Sequence, residues 1–326
     1  MILLVWAPFL IPFLAVPAAR RLADALPPRL AAWVLGATGV VLAGASAASL
    51  GLLALAGLLR IPAIAALGHM SLPWFAQASP TSMELAALAA TALVVAGVFT
   101  LRAAHQHYTD LRRAHAALGP HARHSTEDGH PLAVLDDDRA DAYALPGRPG
   151  RIVVTAGMLR ALPAPERAAL LAHERAHLTA RHHLFLATAE YAAVLHPALR
   201  RLRAPLGFHL ERWADECAAS AVGDRVVTAR AVGRAALAAA RTPRPARPLL
   251  APAVAAGPVP RRVAALLSPH PRTGALARPS AGGKPMRLVT ALALAACLTV
   301  STAATVAATR ELHQTVESAQ SAAGEH

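Results

Sequence analysis

Four stretches of this 326-residue chain carry no charged side chain for long enough to cross a bilayer. They constrain the fold more than any other feature, because a hydrocarbon core of roughly 30 Å offers no partner to an open backbone and forces such segments into helices. They run from Met1 to Ala19, Leu30 to Leu59, Leu85 to Leu101 and Leu288 to Thr309. Charge closes each one: Arg20 and Arg21, then Arg29 and Arg60, Glu84 and Arg102, Arg287 and Arg310. The first has no basic leader and is followed almost at once by a second span, so it is expected to remain as an anchor rather than be removed as a signal peptide.

The basic residues between the spans orient them. The net charge is +13, carried almost wholly by arginine, with Lys284 the one lysine. Arg20, Arg21 and Arg29 fill the link after the first span, and Arg102, Arg112 and Arg113 follow the third, whereas Arg60 is alone in the link to Met83. Arginine-rich links stay in the cytoplasm. The expectation is a multi-pass plasma-membrane protein with both ends outside. Residues 1–101 hold three transmembrane helices, 102–287 a cytoplasmic domain, 288–309 the fourth helix and 310–326 a short extracytoplasmic tail. A basic chain can also bind nucleic acid, but no stretch interleaves arginine with aromatic residues, so lipid is the expected partner and nucleic acid is not. Cys217 and Cys297 lie in segments of unlike character, which excludes a disulfide framework.

The insertion reads as α+β. LAVLD (132–136), AYAL (142–145) and RIVVT (151–155) are short strands between Asp-rich and Gly-Pro turns. Pro165 and Glu166 open a helix that continues through ERAALLAHERAHLTARHH. Pro205 opens another, GFHLERWADECAASAV, closed by Gly223 and Asp224. The polar stretch from His115 to Pro131, with His121, His124 and His130, is expected to be a solvated loop, a second metal site being the other reading. Residues 241–260 are Pro- and Ala-rich and expected to be mobile.

Within the first helix stands His173-Glu174-Arg175-Ala176-His177. Two histidines four apart share a helix face and can share a zinc ion, and the glutamate after the first is placed to take a proton from water. A catalytic zinc needs a third protein ligand. The second helix offers Glu211, Asp215 and Glu216, with His209 before them. Glu211 and Asp215 are four apart on one face, which suits Glu211 as ligand and Asp215 as the carboxylate that fixes a ligand histidine's tautomer. The bland alternative makes these acids salt-bridge partners of Arg212 or Arg181. Tyr143 lies on a strand suited to seating an extended peptide, or simply packs. His182, His183 and His196 are expected to line helices or pack.

AYALPGRPGRIVVTAGML, LPAPERAALLAHERAHLTARHH and ERWADECA together resemble the membrane metallopeptidases of the β-lactam sensor–transducer (BlaR/MecR-type) family, relatives of the CAAX prenyl endopeptidase and HtpX-like group. The resemblance implies four transmembrane helices with an α+β gluzincin-type metallopeptidase domain between spans three and four. It implies one Zn2+ on His173, His177 and Glu211, with Glu174 as base and Asp215 in support. The substrate would be a protein or peptide, a transcriptional repressor as in the sensor family or a membrane protein under quality control. SPHPR (Ser268–Arg272) is similar to the group's His-Pro segment, which would bring His270 to a transition-state oxyanion; a membrane-proximal turn is the other reading. Only Arg310–His326 follow the last span, so β-lactam sensing is not implied. A non-catalytic membrane scaffold with a structural pentad is the competing class. An intramembrane protease fits less well, because Glu166, Arg167 and Arg181 flank the pentad.

Overall fold

The computed structural model describes residues 2–78, 81–118, 122–127, 130–241, 258–268 and 283–324. Four of its helices are long and apolar enough to cross a membrane: α1 (Ile2–Ala23), α2 (Pro28–Leu58), α5 (Met83–Ala117) and α12 (Gly283–Gly324). Between α2 and α5 lie the short helices α3 (Pro62–Leu67) and α4 (Leu72–Ala78). Helices α5 and α12 both run well beyond their apolar windows. Apolar composition bounds the part that favours lipid, whereas backbone helicity continues as long as the polar extension finds packing partners. The extension of α5 finds them under a sheet, and the tail of α12 packs Leu312, Val316 and Ala319 against Ala65 and Phe75 of α3 and α4. The link between spans two and three and the C-terminal tail therefore meet at one end of the bundle.

Helix α1 contains Pro8, Pro12 and Pro17. Pro12 has no N–H to give the Pro8 carbonyl, and an unmet carbonyl is costly where water is absent. Ser46 of α2 donates its hydroxyl to that carbonyl at 3.0 Å. Helices α2 and α5 cross at Gly57, where an added Cβ would stand 2.2 Å from the Ala86 Cβ. Small residues at such crossings let membrane helices approach closely.

The inserted region carries strands β1 (Ala122–Glu127), β2 (His130–Leu135), β3 (Ala142–Leu145) and β4 (Arg151–Thr155) in the order β1-β2-β4-β3. Strand β2 runs parallel to β4, with Leu132 opposite Ile152, and the other two pairs are antiparallel. Strand β1 corrects the reading of 115–131 as a loop. Its sequence, ARHSTE, has no apolar pattern to announce it, and main-chain pairing with β2 holds it in the sheet. His115 belongs to α5 and donates from Nε2 to the Pro146 carbonyl at 2.8 Å. His121 lies outside the described residues.

Helices α6 (Ala156–Ala161), α7 (Ala164–Thr179), α8 (His182–Leu195), a 3₁₀ turn (Pro197–Leu202), α9 (Arg203–Val222), α10 (Arg225–Ala240) and α11 (Val259–Leu267) complete the order before α12. Ile152 and Val154 face a core built with α6, α7, α10 and α11. Val153, Ala133, Tyr143 and Leu145 face the extension of α5 through Leu111, Ala114 and Leu118. The sheet is thus covered on both sides, which explains why RIVVT is apolar at consecutive positions. Gly223, at φ 76°, ends α9, and Asp224 caps α10 by accepting from the Val226 and Val227 N–H groups. The Pro- and Ala-rich 242–257 stretch lies outside the described residues, and 259–260 belong to α11.

A further core joins the domain to the spans: Leu35 and Leu42 of α2 pack with Leu199, Leu202, Leu206 and Leu210. His196 fastens the junction. Its Nδ1 accepts from the Ala198 N–H at 3.2 Å, so Nε2 is the protonated nitrogen and donates to the Phe9 carbonyl of α1 at 3.1 Å.

Replacing Gly57 with Ala is expected to destabilise the bundle by about 1–3 kcal/mol, the range for overpacking. Gly51→Ala, where nothing stands within 4 Å, serves as the control. Thermal unfolding of both variants in the same detergent checks this; equal midpoints would contradict the crossing.

Candidate metal centre

Helix α7 starts where Pro163 caps and Pro165 sets the first turn, with Glu166 near its positive end. It presents His173 and His177 toward α9, which presents Glu211 and Asp215. All four are buried, at 1%, 0%, 4% and 0% exposure. His173 Nε2 and His177 Nε2 stand 3.1 Å apart, and each is 3.4 Å from a Glu211 carboxylate oxygen. Ligand atoms about 2.0–2.1 Å from a tetrahedral zinc stand roughly 3.3–3.4 Å from one another. These three residues therefore have the spacing of a zinc triad, and they form a group able to hold a metal ion among the described residues.

The outer contacts select the nitrogen each histidine offers. His173 Nδ1 lies 3.1 Å from Asp215 Oδ1, leaving Nε2 toward Glu211. His177 Nδ1 hydrogen-bonds His182 Nδ1 at 2.7 Å, again leaving Nε2 inward. The second contact depends on a break. Positions 177 and 182 on one continuous helix would point about 140° apart. Instead α7 ends at Thr179, Arg181 takes a left-handed φ of 53°, and α8 starts at His182, whose fully buried ring folds back onto His177 and lies 4.7 Å from Trp213. Continuous helicity through 183, expected from the sequence, is thus corrected. A non-glycine residue in this region costs some backbone strain, which surrounding packing must hold.

Arg262 of α11 completes the cluster and is itself fully buried. Its Nε and Nη2 donate to the two Asp215 oxygens at 2.9 and 2.6 Å, and Nη1 reaches Glu211 Oε2 at 2.9 Å. Arg225 steadies α11 by donating to the carbonyls of Ala265 and Leu266, while pairing with Glu216 of α9. Glu216 is also held by Arg212 at 2.8 Å, so it stays out of the cluster. Arg262 was missed in the sequence, although a signal exists. Val259, Arg262, Val263 and Leu266 follow helical spacing, and an arginine on the apolar stripe of a short helix calls for a buried partner.

Charge bookkeeping favours a cation. Glu174, Glu211 and Asp215 are buried carboxylates, and Arg262 is the one buried arginine against them among the described residues. As ionised groups they leave an excess of two negative charges, which a divalent ion neutralises. The titration behaviour agrees. Burial disfavours a charged His173, but Asp215 and Glu211 overcome this and raise its pKa to about 9. A proton favoured there is what a metal displaces. Burial would raise Asp215, yet hydrogen bonds from Arg262 and His173 bring it down to about 2. Burial, then the charge of His173, pushes His177 well below its ordinary value. Burial and the same charge lower His182 to about 3, so it remains neutral and able to accept a proton from His177 Nδ1.

The other expected residues fall elsewhere. Strand β3 is an edge of the sheet, but the Tyr143 side chain packs into the core, so a peptide along β3 would meet its main chain. His209 lies near Asp24, just after α1, with Nε2 at 4.0 Å from the carboxylate, and not in the triad. His183 is half-buried on α8. His270 lies outside the described residues.

Residues 106–200 match the family described as Peptidase family M48, whose members are zinc metallopeptidases. The match covers under a third of the chain, taking in both histidines and ending before Glu211, Asp215 and Arg262. No curated protein and no solved structure gives a significant match.

Removing one partner of a buried ion pair costs roughly 3–5 kcal/mol because the other charge is stranded. Arg262→Ala should therefore lower stability by that order. The double variant with Asp215→Asn should recover part of the loss, as read by chemical denaturation in detergent. Additive losses would contradict the pairing.

Proposed function

We propose that this chain is a zinc-dependent membrane endopeptidase that hydrolyses peptide bonds of a protein substrate at the cytoplasmic face. The observation that carries this reading is the buried His173, His177 and Glu211 set, spaced for one ion and enclosed by carboxylates in excess of arginine. The match of 106–200 to a peptidase family supports it. The arginine-rich links around the spans support the cytoplasmic face.

Zinc held by these three residues would act as a Lewis acid on the scissile carbonyl and acidify water to a pKa of about 7. The chain's own groups do the rest. Glu174, next to His173 and fully buried, takes a proton from the attacking water and passes it to the leaving amine. Asp215 and His182 hold the Nδ1 protons of His173 and His177, keeping both Nε2 lone pairs directed inward. Arg262 holds Glu211 and Asp215 in place. A substrate in extended form adds to the outer edge of the sheet along β3, which packs against α7. The substrate would be a repressor or a membrane protein, and regulated proteolysis is the role that fits a site coupled to four spans.

The protein purified in detergent should contain one zinc per chain by elemental analysis, lost in His173→Ala. A scaffold with a structural pentad would hold none. Glu174→Gln should keep the metal and lose about 100- to 10,000-fold in turnover, the usual contribution of a positioned acid–base group. A comparison of cellular proteomes with wild type and Glu174→Gln identifies substrates, and identical fragment patterns would contradict the assigned base. His182→Ala should weaken zinc affinity by about 10- to 100-fold in chelator competition, as loss of a ligand's hydrogen-bond partner does.

A further inference from the structure

Helices α2 and α8 border an open hollow of about 550 Å³ that the peptidase reading does not use. Its walls are apolar, with Trp33, Gly36 and Val40 from the span and Leu184 and Phe185 from α8, and Arg181 at one side. A second hollow of about 410 Å³ is lined by Arg29, Arg175, Trp213 and Cys217, and Ala180 borders both. Neither lining contains an aspartate or glutamate. Burial raises the Cys217 thiol, with Trp213 and Arg29 opposing and Glu216 adding to it, and Glu216 is already paired with Arg212 and Arg225.

We propose that the two hollows seat one anionic phospholipid, its acyl chain along α2 and α8 and its phosphate among Arg29, Arg175 and Arg181. The apolar part opens on a membrane-spanning helix, with Arg181 in its wall, and Arg29 and Arg175 line the adjoining hollow across Ala180. Arg29 lies in the first turn of α2, and its guanidinium rests over the Trp213 ring at 5.5 Å. Arg181 and Arg29 are exposed and enter no ion pair among the described residues. Forked guanidinium donors match phosphate oxygens in geometry as well as charge, and basic pockets beside spans on the cytoplasmic side are suited to anionic head groups. A zwitterionic lipid brings its own cation into a site with no acid to receive it. Gly36 keeps the cavity open toward Phe185, whose ring stands 3.2 Å from where a Cβ would be.

The test uses the full-length protein in detergent, titrated with phosphatidylglycerol or phosphatidylcholine and read by native mass spectrometry. Phosphatidylglycerol should be retained at least about tenfold more tightly, in line with several arginines at one head group. The triple variant Arg29→Gln, Arg175→Gln, Arg181→Gln should lose that preference, and Ala37→Trp, which fills the apolar hollow, should weaken both lipids. Maleimide labelling of Cys217 in a Cys297→Ser background should slow when phosphatidylglycerol is bound, a readout that survives poor folding of any one variant. His173→Ala should bind the lipid normally, which separates this proposal from the peptidase reading. Equal retention of the two lipids, preference persisting in the triple variant, displacement by millimolar inorganic phosphate, or unchanged Cys217 labelling would each overturn it.

Discussion

The interaction on which the site depends is the fork of Arg262 across Asp215 and Glu211. Two carboxylates on successive turns of α9 would repel each other inside the protein, and burying either alone would shift it toward its neutral form. A buried guanidinium bonded to both offsets that cost and holds Asp215 well below the usual carboxylate range. That single residue comes from α11, which is separated from α9 by α10 and the undescribed 242–257 segment. The domain therefore has to close around its own site before the charges are balanced.

Around this fork the histidines are arranged by unlike partners. His173 meets an acid that raises its proton affinity, and His177 meets a neutral imidazole. The difference gives the two histidines different basicity on the same helix, although their sequence environment is nearly symmetrical. The left-handed turn at Arg181 creates it by reversing the chain toward His177. The same turn places Arg181 beside the apolar hollow of α2, so one backbone feature shapes both the histidine cluster and that hollow.

Much of the frame was legible from composition and spacing. Uncharged windows gave the four span-length helices, and apolar runs gave three of the four strands. Proline, glycine and acidic punctuation placed α7 and α9. Strand β1 was illegible because its pairing is made by main chain, which leaves no mark in a polar sequence such as ARHSTE. The break between α7 and α8 was illegible because TARHH has acceptable helical propensity, and tertiary contacts outweigh propensities of a few tenths of a kcal/mol.

By itself the sequence determined that four segments are long and apolar enough to cross a membrane and that α7 carries two histidines and a glutamate on adjoining faces, since both follow from short-range patterning. Only the tertiary structure decided that Glu211 stands beside both histidines, that Asp215 and His182 bond their outer nitrogens, and that Arg262 pairs with the two acids. Those outcomes depend on distances between α7, α8, α9 and α11, which are set by packing of their apolar faces against the sheet and the spans. Local sequence carries the period of each helix but not the direction in which two helices meet.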